Sequence, residues 1–346
     1  MVGGQASPEE PLANSVFQGT VLGSPLWNIF YADARKPVNK KGYVESVFAD
    51  DFNAWKGFAA NKEPVKTQES ILLDLETVQR ELHLWGKANQ VIFDPSKESF
   101  HVLHRRFHHG ADFKILGVTF DVSLLMHTAA REIATEAGWR LQTLLRARGF
   151  FTTPELVHLY KAQVLSYIES STPGLFHAAV SVLERIDRVQ QRLLRNVGLD
   201  DLSALTNYKL APLCSRRDIA MLGVLHKVAL GKAPQPLADL FPLLGEVSEP
   251  FVRIRTRHWR PRHSKQLYTE AGIASSDVMQ RSLFGLVHLY NKLPQKVVDS
   301  PSPHAFQGRL QAALKKYAQA GVENWQRLFS TGWRLMPSAR LHRLFE

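Results

Sequence analysis

The sequence predicts an α+β protein, with a short mixed unit of helices and hairpins ahead of a long, purely helical remainder. Three observations carry that expectation. Two pairs of β-like runs alternate with helix-patterned segments up to residue 120. Beyond it, apolar residues recur at helical spacing. Pro234, Pro236, Pro242 and Pro250 then mark a loop region ahead of a strongly basic last third. At 346 residues the chain has room for about two domains. With 45% hydrophobic and 22% charged residues it can build buried cores.

Residues 1–17 are rich in Gly, Ser, Pro and Glu and are expected to form a disordered tail. Over 24–35, Ser24 supplies an N-cap and Pro25 a first-turn proline to an apolar helix. Two runs, Tyr43 to Phe48 and Phe52 to Phe58, read as strands of a tight hairpin with Asp50 and Asp51 at its tip. The clearest helix covers 64–89, where Ile71, Leu75, Val78, Leu82 and Trp85 form one apolar stripe. Asn89 and Asp94-Pro95 end it. Runs 97–104 and 113–120 make a second expected hairpin, separated by a His- and Arg-rich turn ending in Gly110. Helices follow at 128–148, 154–169, 179–197, 215–230, 275–291 and 303–318, some opened by signals such as Thr153-Pro154 and Ser302-Pro303. Trp139, Trp325 and Trp333 fall at helical positions and read as core residues. No repeat of solenoid period is present. The expected divisions after the tail are 18–121, 122–232 and 233–346.

The net charge of +11 is not spread evenly. Residues 1–120 are close to neutral, as are 121–250, while the last 96 residues carry 16 basic and 5 acidic side chains. Such a concentration points to a polyanionic partner such as nucleic acid. Within it, 253–265 reads RIRTRHWRPRHSK: Arg253, Arg255, Arg257, Arg260, Arg262 and Lys265 surround Trp259. Charge runs are usually solvated faces. Dense arginine with an interleaved aromatic favours phosphate contacts and base stacking here. A single cysteine, Cys214, excludes an internal disulfide and a Cys-based zinc site. No apolar run is long enough to span a membrane, and the first residues lack a secretory pattern. The expected setting is intracellular, nuclear or cytoplasmic, and not secreted. His101, His104, His108 and His109 cluster around the second hairpin, but strand and turn spacing gives no chelating face, so they read as a polar turn.

Paired acids at a hairpin tip are usually solvated turn residues. Yet adjacent carboxylates repel unless a cation neutralises them, and hard divalent ions take oxygen ligands. Phosphoryl-transfer enzymes use such carboxylates to hold Mg2+ against nucleotide phosphates. The surroundings of Asp50 and Asp51 sharpen the point. Residues 18–28 read QGTVLGSPLWN, 32 positions ahead of Asp50; 48–51 read FADD; 115–121 read ILGVTFD. This ordered set resembles the polymerase palm of reverse transcriptases from non-LTR, jockey-type retrotransposons. The resemblance implies a partial palm (helix, hairpin with the FADD turn, helix, hairpin), then a helical thumb and a helical C-terminal region. It implies that Asp50 and Asp51 are catalytic and the metal ligands, with Mg2+ expected to bind weakly or not at all when the opposite carboxylate is missing. Gln18, Gly19, Ser24 and Pro25 would contact template and nucleotide, and Leu116, Gly117 and Val118 would form the primer grip. Lys97 matches the family's palm lysine, which protonates the leaving pyrophosphate; an exposed strand-end lysine is the plain alternative. The segment HLYNKLPQKVVDSPSPHAFQGRL, within 283–314, looks like the family's closing region beyond the thumb.

The same resemblance implies an RNA template and a DNA primer as partners. It also implies an upstream aspartate and basic fingers, yet 17 residues precede Gln18 and the first aspartate is Asp33. The expectation is therefore the C-terminal part of a retrotransposon reading frame, N-terminally truncated and inactive alone as an RNA-directed DNA polymerase. The alternative is a non-catalytic nucleic-acid-binding remnant or co-opted fragment.

Overall fold

The computed structural model describes residues 20–58, 64–104, 108–246, 263–269, 276–330 and 345. The chain divides into two compact units, Met1–Gly110 and Ala111–Glu346.

In the first unit, helix α1 covers Gly23–Tyr31 and α2 covers Arg35–Lys40. Ser24 lies inside α1 rather than capping it, because the helix begins one residue earlier; Pro25 still falls in the first turn, where no amide is needed. α2 was not expected, since its six residues hold only Pro37 and Val38 as apolar side chains and so show no apolar stripe. Strands β1 (Val44–Phe48) and β2 (Asp51–Trp55) pair antiparallel, from Val44 opposite Trp55 to Phe48 opposite Asp51. Helix α3, Pro64–Ala88, matches the expected long helix. Its stripe buries Ile71 and Val78, while Leu75 packs against a small core of Val38, Tyr43, Val78, Phe52 and Ala54. Residues 97–104 do not form the expected strand. A single bridge, Val102 to His109, replaces it, and 113–120 folds on itself instead.

That second hairpin opens the larger unit: β3 (Phe113–Ile115) pairs with β4 (Val118–Phe120) across Leu116 and Gly117. Both turn residues are left-handed, at φ 47° and 83°. Glycine adopts this freely and leucine rarely, so the sequence signalled only half of the turn. Asp121 then accepts amide hydrogen bonds from Leu125 and Met126, leading the chain into α4, His127–Arg146.

The helical body continues with α5 (Thr153–Tyr160), one wide π turn (Lys161–Leu165), α6 (Ser166–Ser170) and α7 (Thr172–Leu175). Thr152 and Glu155 form a capping box at α5, one residue ahead of the expected start signal. Gly174 in α7 lets this segment approach β4, since a Cβ there would lie 3.1 Å from Val118 and 3.2 Å from Phe120. Then come α8 (Val180–Val197), α9 (Asp201–Tyr208), α10 (Leu213–Ala229) and α11 (Gln235–Ala238). The expected helix 275–291 is two helices, α12 (Asp277–Arg281) and α13 (Leu283–Tyr290), because extended Ser282 interrupts it and caps the second. α14 (Gln295–Val298) and α15 (Pro303–Gln319) are the last α-helices among the described residues, with Ser302 capping α15 as expected.

Two apolar cores fill this unit. One joins α4, α5, α6 and α8 through residues such as Leu141, Tyr160 and Leu193. The other joins α10, α13 and α15 around Leu222, Tyr290 and Phe306. Trp325 belongs to the second core as expected, whereas Trp139 is 66% exposed on α4, against the expectation of a core residue. Trp333 lies outside the described residues.

Candidate functional site

The turn that carries Asp50 and Asp51 is built from three elements of the first unit. Phe48 pairs with Asp51, so the connection is only Ala49 and Asp50. Asp50 stands at the tip, whereas Asp51 opens β2; the expectation that both sit in the turn is corrected. Two-residue hairpin loops need left-handed backbone to match strand twist, and Ala49 supplies it at φ 54°. For a residue with a Cβ this conformation costs about 1–2 kcal/mol.

The surrounding contacts hold that strained residue. Trp27 of α1 donates its indole N–H to the Ala49 carbonyl at 2.7 Å. Its ring stacks on Tyr31 at 5.0 Å, and Tyr31 meets Trp85 of α3 edge-on at 5.4 Å and Phe52 of β2 at 6.2 Å. Burial, and then the negative charge of Asp50, push the Tyr31 phenol up to about 12. Tyr31 is thus a neutral phenol at physiological pH that sits within the field of Asp50. On the other side of the hairpin Lys56 bonds Asp74 at 3.2 Å and the Lys41 carbonyl at 2.9 Å, above the rings of Tyr43 and Phe58. The SPLW helix and the aspartate turn, distant in sequence, are therefore one assembly.

Asp50 and Asp51 are exposed. Mg2+ is usually held by one or two carboxylates together with waters and substrate phosphates. The pair fits that role from one side; among the described residues no group of three His, Cys, Asp or Glu side chains converges.

The other expected site residues are distributed as follows. Ser24 and Pro25 are exposed on α1, next to the residues that hold the turn, while Gln18 and Gly19 lie outside the described residues. Lys97 is exposed in a turn, 3.8 Å from Asp94, rather than at a strand end. Leu116 and Gly117 form the β3–β4 turn of the larger unit and Val118 opens β4; Leu116 is 60% exposed. Arg253, Arg255, Arg257, Trp259, Arg260 and Arg262 lie outside the described residues. Lys265 is half-buried, and its ammonium donates to the Val298 carbonyl at 2.9 Å. The closing segment is a structural hub: Asn291 bonds both the amide and the carbonyl of Leu267, at 2.9 and 2.8 Å, while Tyr290, Leu293 and Phe306 are buried.

Sequence reasoning placed Trp85 in the α3 stripe but missed Trp27, which holds the turn, and Tyr31, which links the two rings. A signal was present: Trp27 and Tyr31 are four apart on one face of an otherwise exposed helix. No protein-family model, curated protein or solved structure matches the chain.

Proposed function

We propose that the chain is a nucleic-acid-handling part of the non-LTR reverse-transcriptase lineage, with an aspartate hairpin of palm type and a helical, nucleic-acid-binding remainder. One observation carries the reading. The SPLW helix and the FADD turn, ordered in sequence as in that palm, meet through the Trp27–Ala49 hydrogen bond and share one ring stack. In this reading Asp50 and Asp51 hold Mg2+, which neutralises nucleotide phosphates when bound. Gln18, Gly19, Ser24 and Pro25 position template and nucleotide, and Leu116, Gly117 and Val118 hold the primer end. Lys97 donates a proton to the departing pyrophosphate.

Two-metal transfer needs carboxylates on both sides of the reacting atoms, and Asp50 with Asp51 supplies one side. The 346-residue chain alone is therefore expected to extend no primer on an RNA template, with Mg2+ or Mn2+. Fusion to a fingers and first-aspartate segment from a non-LTR reverse transcriptase should give extension that Asp50→Ala abolishes. A fusion that binds primer–template but never extends it refutes the palm assignment. Robust extension by the chain alone refutes the argument from the one-sided carboxylate set. The two-carboxylate donor set also favours a second reading, a non-catalytic nucleic-acid-binding protein. Primer–template binding unchanged by Asp50→Ala, with no extension by any fusion, selects it.

A further inference from the structure

We infer that the cleft lined by α8, the start of α10 and segment 324–330 binds a small organic monocation, a primary ammonium group on an apolar body, with Asp218 as its counter-ion. The site belongs wholly to the larger unit, and its occupancy is independent of the nucleic-acid reading above.

Among the described residues the cleft encloses about 570 Å³, within the range of small-molecule sites. Phe176, Ala178, Leu183 and Leu213, all buried, give it an apolar lining. At this part of the α8–α10 seam the helices meet through polar groups: Arg217 of α10 reaches Asp187 of α8 in two bonds of 2.6 and 2.9 Å. Segment 324–330 supplies a further wall. Left-handed Asn324, at φ 56°, turns the chain, and the Gln326 carbonyl accepts hydrogen bonds from Ser215 and from Cys214 at 3.5 Å. Trp325, Leu328 and Phe329 anchor the segment in the core. Its ion pair to α8, Arg327 with Glu184 at 3.6 Å, is half-exposed on both sides, and such pairs hold weakly. Parting that pair opens the cleft without disturbing the anchors.

Asp218 is the group that calls for a ligand. It lines the cleft at 7% exposure, yet its Oδ2 has no hydrogen-bond partner among the described residues. Arg217 beside it offers little relief, because both ends of its fork are committed to Asp187. Buried polar groups are nearly always satisfied, so a bare carboxylate in a cleft marks a place where a bound molecule supplies the partner. An ionised carboxylate only accepts, and a cationic donor makes the stronger bond to it. Asp187 and Asp218 against Arg217 leave one negative charge at this wall, which one ammonium neutralises. Arg188, Arg281 and Arg327 also line the cleft and would repel a polycation. A divalent metal fits poorly, since it needs several oxygen ligands and no group of three ligating side chains converges among the described residues.

The test is isothermal titration calorimetry of the full chain with 2-phenylethylamine, isoamylamine and cyclohexylmethylamine, each beside its alcohol counterpart, and with 3-phenylpropionate. At pH 8 at least one amine should bind, about tenfold or more tighter than its alcohol. Asp218→Asn keeps the side-chain shape and should cut amine affinity about tenfold, in a chain shown folded by circular dichroism. Arg327→Ala removes a like charge and the Glu184 pair, and should leave amine binding unchanged or tighter. The charged groups facing Asp218 are Arg217 on its own helix, Asp187 on α8 and Arg327 on the wall segment. Burial pushes the Asp218 carboxyl up to about 7, so binding an ammonium at pH 6 must ionise it. Affinity should therefore fall about tenfold from pH 8 to pH 6, with a proton released to the buffer at pH 6 that Asp218→Asn abolishes. No binding by any amine at millimolar concentration, equal binding by the alcohol, or binding unaltered in Asp218→Asn overturns the site. Binding of 3-phenylpropionate that Arg327→Ala removes shows an anion site and overturns it as well.

Discussion

Replacing Asp218 by Asn should stabilise the larger unit at neutral and alkaline pH and do little in acid. Asp218 lies on α10 at 7% exposure, and its Oδ2 has no hydrogen-bond partner among the described residues. Burial, as the largest cause, pushes its carboxyl up to about 7 against the pull of Arg217, and the charge of Asp187 adds to the rise. Arg217 is already committed to Asp187 through two bonds of 2.6 and 2.9 Å. An unfolded aspartate ionises near pH 4, so between there and pH 7 the native protein keeps a proton that the unfolded chain has released. Stability therefore falls as pH rises through that window, and the penalty is complete above it. The rise from near 4 to about 7, at about 1.36 kcal/mol for each tenfold change in proton affinity, sets an upper figure of ~4 kcal/mol, of which about 2 should survive relaxation around the charge. Asparagine never ionises and should recover that amount at pH 8. Urea unfolding followed by far-ultraviolet circular dichroism, at pH 4.5 and pH 8, measures the difference. Equal effects at the two pH values, or a loss of stability at pH 8, would refute the reasoning.

His226 is fully buried, with one ring nitrogen at the Tyr290 hydroxyl (3.0 Å) and the other at the Ser300 carbonyl (2.9 Å). Burial holds it below its ordinary value, so the unfolded chain takes up its proton first and stability should fall as pH drops below about 6.5. In the Asp218→Asn background, which removes the opposite trend, unfolding midpoints at pH 7.5 and 5.5 should differ, and His226→Gln should reduce that difference. Burial pushes the Cys214 thiol up to about 11, so it should react slowly with a disulfide reagent at pH 8 and rapidly in urea; fast reaction of the folded chain would contradict the placement. Trp27→Phe removes the bond to Ala49 and should cost about 1 kcal/mol. Amide exchange around 49–52 should quicken while exchange in α3 stays unchanged; equal quickening in both would show that Trp27 acts on the whole unit.

Most of the helices were legible because burial imposes a period. α3, α4, α8, α10 and α15 carry apolar stripes over many turns, and their observed bounds lie within two residues of the expected ones. The short pieces escaped for the opposite reason. α2 and α14 are only six and four residues long, too brief for a period to show. α9 was announced by Asp200, whose side chain accepts from the Ser203 amide, and that cap passed unread. Turns were misjudged where backbone shape and residue type disagree: Ala49 and Leu116 are left-handed although neither type favours it. The aspartate pair was legible as part of a hairpin. Its support was not, because Trp27 and Ala49 meet only in three dimensions.

The foundation on which the Asp50 turn stands decides how mutations there must be read. A two-stranded hairpin is marginal by itself. The Asp50 turn depends on a small core, one indole hydrogen bond and a ring stack, while Leu22, Leu26, Ile29 and Phe30 of the neighbouring α1 segment remain largely exposed. A substitution there can therefore loosen the tip locally before it alters any chemistry. Loss of extension in an Asp50 variant is informative only if amide exchange shows the turn still closed.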